Sequence, residues 1–248
     1  MNISQLGSLV NLINTNPNEA KALIKLVSVD ILKSLGDGKY SVLLDNKRLT
    51  AQSDKPLSEG AKYWSQLTQT KDSVPQLSQL LKQPSLLKNL QHTNLEYSLK
   101  DLKTILSSVK PENILKQNIL EHLSTATTKE EFSNASTLLL SLQNQTMTIP
   151  LNYHGYFSVL QFKKRYNKKT KKSQIDFYAA LELLGPISGI ISLENGRVSI
   201  ELNVAFDKTK QFLENDMKNL SYEVDISVIN LIEPLYNANI NSLLDLCI

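Results

Sequence analysis

Between Leu181 and Leu231 the hydrophobic residues change period twice, which restricts this segment to a β-β-α-β unit. Val198, Ile200, Leu202 and Val204 alternate with Arg197, Ser199, Glu201 and Asn203. Period two marks a strand with one buried and one wet face. Ile187, Gly189, Ile191 and Leu193 alternate in the same way with Ser188, Ile190 and Ser192. Asn195-Gly196 separates the two runs and suits a tight hairpin turn, which needs positive φ at both central positions. From Asp207, placed as the N-cap, the period becomes helical: Thr209, Phe212, Leu213, Met217 and Leu220 share one stripe. Val224, Ile226 and Val228 then return to alternation.

The chemistry-bearing residues are sparse. Cys247 is the single cysteine, so an internal disulfide is impossible, in keeping with a reducing cytoplasm. His92, His122 and His154 are widely spaced and form neither H-x-x-x-H nor H-E-x-x-H. Neither a phosphate-binding glycine loop ending in Lys-Ser/Thr nor a G-x-S-x-G elbow occurs. The expectation is a non-enzymatic protein without catalytic, cofactor-binding or metal residues. No apolar run reaches the roughly 18 residues that would span a bilayer. The first twenty residues lack the basic and continuous apolar regions of a cleaved secretory signal. Cytoplasmic residence is therefore expected; export by a type III route stays open, because its substrates keep their N-termini.

Charge is concentrated in one place. Lys163, Lys164, Arg165, Lys168, Lys169, Lys171 and Lys172 supply seven of the 27 basic residues; the rest of the chain would carry 20 basic against 24 acidic residues. The cluster lies between a candidate strand containing Tyr153, Phe157 and Val159 and another containing Ile175, Phe177, Ala179, Leu181 and Leu183. A hairpin with a cationic tip follows, a candidate partner-binding site for phosphate, anionic lipid or an acidic protein surface. Tyr166 would offer a stacking group to nucleic acid. A solvated loop is the plain alternative.

Three segments emerge in an α+β chain. Residues 1–67 read as a helix opened by Asn16-Pro17, then a β-meander with strands near Val27–Ile31, Lys39–Leu44 and Arg48–Ser53. Residues 68–147 read as a helical bundle punctuated by Pro75, Pro84 and Pro111. Its apolar faces are Leu77/Leu80/Leu81, Leu95/Leu99/Leu102/Leu106, Ile114/Leu115/Ile119/Leu123 and Phe132/Ala135/Leu139/Leu142. Thr127 and Glu130 have capping-box spacing. Residues 148–248 read as a β-β-β-β-α-β domain, with Ile240–Leu246 as a candidate terminal helix.

The last segment resembles the C-terminal domain of flagellar hook-length control proteins. That family has an apolar strand ending in Leu-Gly, a strand-turn-strand, a helix with a leucine stripe and a final strand. Leu184-Gly185 corresponds to the Leu-Gly pair, Gly196 to the hairpin glycine, Leu213 and Leu220 to the helix stripe. The Pro-Glu that usually precedes Leu-Gly is replaced by Leu181-Glu182-Leu183, and Gly189 interrupts the next strand. The resemblance covers about the last third of the chain. It implies contact with the flagellar export gate and a role in switching the exported substrate class. The compact-looking middle departs from the long flexible ruler of that family, so an export chaperone using its helical bundle is the alternative, with nucleic-acid binding by the hairpin tip as another.

Overall fold

A computed structural model of the chain describes residues 26–44, 47–53, 55–69, 75–91, 94–167, 172–194, 196–217 and 222–237. The expected helix at Asn16-Pro17 and the candidate terminal helix lie outside the described residues. The described part is α+β: a five-stranded sheet, four helices, then a six-stranded sheet that carries a fifth helix.

The first sheet has the order β3-β2-β1-β4-β5, with β1 Leu26–Gly36, β2 Lys39–Leu44, β3 Lys47–Gln52, β4 Lys62–Gln69 and β5 Pro75–Lys82. The first part of β1 pairs antiparallel with β4 (Leu26 opposite Gln66), and its second part with β2 (Gly36 opposite Lys39). Val29, Ile31, Tyr40, Val42 and Tyr63 form a small core of their own. The tyrosine hydroxyls of that core accept from the backbone N–H groups of Leu57 and Ser58, at 3.1 and 3.0 Å, so the loop joining β3 to β4 is held beside it. Leu26 and Trp64 instead join the main core of the molecule.

The Leu77/Leu80/Leu81 segment, expected as a helix, is strand β5. Ser78 faces Gln66 and Leu81 faces Trp64, so two residues of β5 oppose the single Ser65 of β4. Gln79 sits in this bulge with φ 52°. The inserted residue breaks the period-two alternation and leaves leucines three and four apart, the spacing of a helix face.

Four helices follow: α1 Ser85–Leu90, α2 Leu99–Ser107, α3 Pro111–Thr125 and α4 Lys129–Gln143. Pro111 occupies the first turn of α3, where a missing N–H costs nothing. The capping box of α4 is shifted by one residue from the expected pair. The Thr128 hydroxyl accepts from the Glu131 N–H at 3.1 Å, and Glu131 accepts from the N–H groups of both Thr127 and Thr128. Leu102, Leu106, Leu115, Ile119 and Leu138 are buried in the main core, whereas Phe132 is exposed.

The second sheet has the order β11-β10-β9-β8-β7-β6: β6 Met147–Tyr153, β7 Tyr156–Asn167, β8 Lys172–Leu181, β9 Gly185–Glu194, β10 Arg197–Val204 and β11 Glu223–Val228. The region after Thr148 therefore contributes two strands where one was expected. His154 and Gly155, with φ of 50° and 83°, turn the chain between them. All pairings are antiparallel except β10 with β11, which are parallel and joined by helix α5, Asp207–Met217. Pro150 lies in the border strand β6, which suits a residue without a ladder N–H. Its carbonyl accepts from the Tyr97 N–H at 2.9 Å, and the Tyr97 carbonyl accepts from the Asn152 N–H at 3.0 Å, so this border is partly covered.

Register defines the two faces. Ile149, Leu160, Ala179, Ile187, Val204 and Val228 form one cross-strand row, buried throughout except at Val228. On the opposite face Thr148, Gln161, Tyr178, Ser188, Asn203 and Ser227 form another, buried at β6–β8 and progressively exposed toward β11.

Candidate functional site

The basic hairpin exists as expected: β7 and β8 pair in register from Ser158/Leu181 to Asn167/Lys172. Lys168, Lys169 and Lys171 lie outside the described residues, and Lys172 begins β8. Two cations at the hairpin's base, Lys164 and Arg165, are already engaged. Lys164 Nζ lies 2.6 Å from Glu112 Oε1 on α3, tying the hairpin to the helical layer. Burial works to raise the Glu112 pKa, but the hydrogen bond and charge of Lys164 outweigh it and hold the carboxyl below its ordinary value. Arg165 Nε pairs with Asp176 Oδ2 on β8. Asp176 is nearly buried and also accepts from Gln174 Nε2 at 3.0 Å. Lys163 is half-buried, in register with the same Asp176. Tyr166 is exposed. Two cations at the base of the hairpin are thus paired with carboxylates, and one of these pairs anchors it to α3.

Leu184, Gly185, Gly196, Leu213 and Leu220, the positions expected from the resemblance, divide into two groups. Leu184 and Gly185 form the β8–β9 turn against α5. The Leu184 carbonyl accepts from the Thr209 hydroxyl at 2.8 Å, a buried contact 25 residues apart. Gly185 has φ +78°, and a Cβ there would lie 2.7 Å from the Phe206 ring. Leu213 is buried on α5. Leu184 is thus tied to α5, Gly185 leaves room for Phe206 at the helix entrance, and Leu213 packs in the main core. Gly196 turns the far end of the β9–β10 hairpin at φ +80°, with open space around it. Leu220 lies outside the described residues.

Gly189, which interrupts β9, has a structural cause. It lies opposite Phe177, whose ring would be 2.5 Å from an added Cβ, and that Cβ would also collide with the Glu201 carbonyl oxygen. The glycine leaves room for an aromatic ring laid across the sheet.

Sequence reasoning missed a buried polar chain. Ser141 of α4 shares a 2.5 Å hydrogen bond with the Thr148 hydroxyl, and Gln161 Nε2 lies 3.3 Å from the same hydroxyl. Gln161 is fully buried and also holds the backbone of Tyr236: Nε2 donates to its carbonyl at 2.7 Å, and Oε1 accepts its N–H at 3.1 Å. After β11 the chain therefore returns across the sheet to β7, four strand spacings or roughly 19 Å away. Ile232 is buried along this strap. A glutamine inside an alternating apolar strand was the available signal.

A cleft of about 480 Å³ opens at the α3–α4 junction, lined by residues that include His122, Thr128, Glu130, Glu131 and Asn134. Glu131 is committed to the helix cap. His154 packs against Tyr153 at the β6–β7 turn, with ring centroids 4.2 Å apart. Among the described residues no group of three or more His, Cys, Asp or Glu is placed to hold a metal ion. No described helix is long and apolar enough to cross a membrane. No family model, curated protein or solved structure matches the chain.

Proposed function

We propose that this is a non-enzymatic protein of the flagellar hook-length control type, acting by protein–protein contact with the type III export apparatus in substrate switching. The observation that carries the reading is the unit β9–β10–α5–β11, in which Leu184 holds Thr209 of the helix, Gly185 makes room for Phe206 and Leu213 is buried in the core. These are the positions at which the sequence resembles that family. The middle of the chain is packed into the main core through α1 to α4. A switching role suits such a body better than a ruler, which must be extended.

Two other readings carry less support. A chaperone using its helices needs a free apolar groove, and Leu102, Leu106, Leu115 and Leu138 of α2 to α4 are buried in the core. A nucleic-acid platform needs free cations, and Lys164 and Arg165 are paired with carboxylates. The test is affinity capture with the intact chain from a flagellated host. Recovery of export-gate components supports the proposal; recovery without any flagellar protein contradicts it.

A further inference from the structure

The two borders of the six-stranded sheet differ. At β6 the border is partly covered by Tyr97. At β11 the outer side pairs with no strand among the described residues. Ile229 donates its N–H to the Val204 carbonyl at 2.9 Å. Backbone groups alternate in direction along a strand, so the N–H groups of Val224, Ile226 and Val228 point outward. Such a row is a template for another extended chain.

Side chains on this border state which chain it suits. One face continues the apolar rows of the sheet, ending in Ile226 and in Val228, which is 37% exposed. The other face is acidic. Asp225 stands in register beside Glu201, and Glu223 lies two residues away; all three are exposed and form no ion pair or hydrogen bond among the described residues. Like charges side by side on a sheet are destabilising, and a cation on the next strand relieves them.

We propose that β11 accepts, as a seventh strand, an extended segment of a partner protein in which Lys or Arg alternates with apolar residues. The apolar side chains extend the rows that end at Ile226 and Val228, and the cations meet Glu223 and Asp225. A second copy of this chain is a poor occupant, because it would set two anionic borders against each other. This inference is independent of the flagellar reading.

The test uses the intact chain and two dye-labelled eight-residue peptides, one alternating Lys and Val, the other Glu and Val. Binding is read by fluorescence anisotropy, and the site by amide hydrogen exchange. The Lys peptide is expected to bind at least about tenfold more tightly, since complementary potentials suppress wrong partners. It should slow exchange at Val224, Ile226 and Val228. The double variant Glu223→Lys/Asp225→Lys should reverse the preference between peptides. Val228→Pro, which removes an outward N–H near the strand's end, should weaken binding while Trp64 fluorescence stays that of the folded chain. Equal binding of both peptides, or slowed exchange only elsewhere, overturns the proposal. So do outward amides already protected in the free monomer, which makes the chain its own occupant, and dimerisation through this border, which makes it a second copy.

Discussion

Gln161 grips Tyr236 from 75 residues away by both polar groups of its backbone, as a neighbouring strand would. The side-chain amide thereby fixes the strap that leaves β11. Replacing Gln161 with Leu removes both bonds and leaves the Thr148 hydroxyl one partner fewer. The expected cost is about 1–3 kcal/mol, the range for stranding buried polar groups. Urea denaturation followed by Trp64 fluorescence measures it. Amide exchange at Tyr236 should accelerate before the rest of the sheet opens. A loss below about 0.5 kcal/mol would mean that the strap is held by its apolar contacts instead.

Gly185 and Gly189 should respond differently to the same methyl group. At Gly185 the added carbon meets the Phe206 ring and a left-handed backbone, so Gly185→Ala is costly and Phe206→Leu should recover part of the loss. At Gly189 the obstacle includes the Glu201 backbone carbonyl. Gly189→Ala should destabilise by about 1–3 kcal/mol or more, and trimming Phe177 to Leu should not restore it. Thermal unfolding of the four single and double variants decides the point.

Two helix caps give the chain an acid sensitivity. Glu131 is held below its ordinary pKa first by the Thr127 N–H, then by the Thr127 hydroxyl and the Thr128 N–H. Asp101 is lowered by the Ser98 hydroxyl and then by the Ser98 N–H. Both native values lie below the unfolded ones, so the unfolded chain binds protons first as pH falls. The caps contribute fully above the unfolded values, about 4.3 for Glu and 3.9 for Asp. That contribution is lost as pH drops through the lowered native values. Melting temperatures recorded from pH 6 to pH 2.5 should fall more shallowly in Glu131→Gln, which removes the titrating carboxyl, than in the parent chain. Parallel curves would remove this cap from the acid response.

How far the fold could be read from sequence depended on whether the local pattern carried the tertiary information. Val198 to Val204 alternate because one face is packed and the other wet, so β10 was legible, as was β2. In β5 the bulge at Gln79 mimicked helical spacing. The β6–β7 turn was hidden because His154, rather than Asn, precedes its glycine. Asn, Asp and His all tolerate the left-handed region, but His is not read as a turn signal. Of the basic cluster, the charge was visible and the neutralisation was not: Glu112 lies 52 positions from Lys164. Gln161 was visible as a polar residue in an apolar run, but its role was not, because its partner is a backbone unit brought near by tertiary structure alone.

The ion pairs at the hairpin base should anchor without stabilising strongly. Lys164 and Glu112 are each almost half exposed, and exposed pairs contribute at most about 1 kcal/mol. Lys164→Ala should therefore change stability by less than that, and high salt should erase the difference. If the cluster instead binds nucleic acid, changing Lys168, Lys169, Lys171 and Lys172 to Glu should abolish a salt-dependent affinity. The present account predicts that filter binding at two salt concentrations detects no such affinity in the parent chain.

The central proposal is a role in flagellar export through the C-terminal unit. Electron microscopy of hooks from a flagellated bacterium that encodes it, with and without Ile187–Leu231, tests that most directly. The account predicts hooks of altered length or an arrest before filament assembly. Hooks of normal length bearing normal filaments would contradict it.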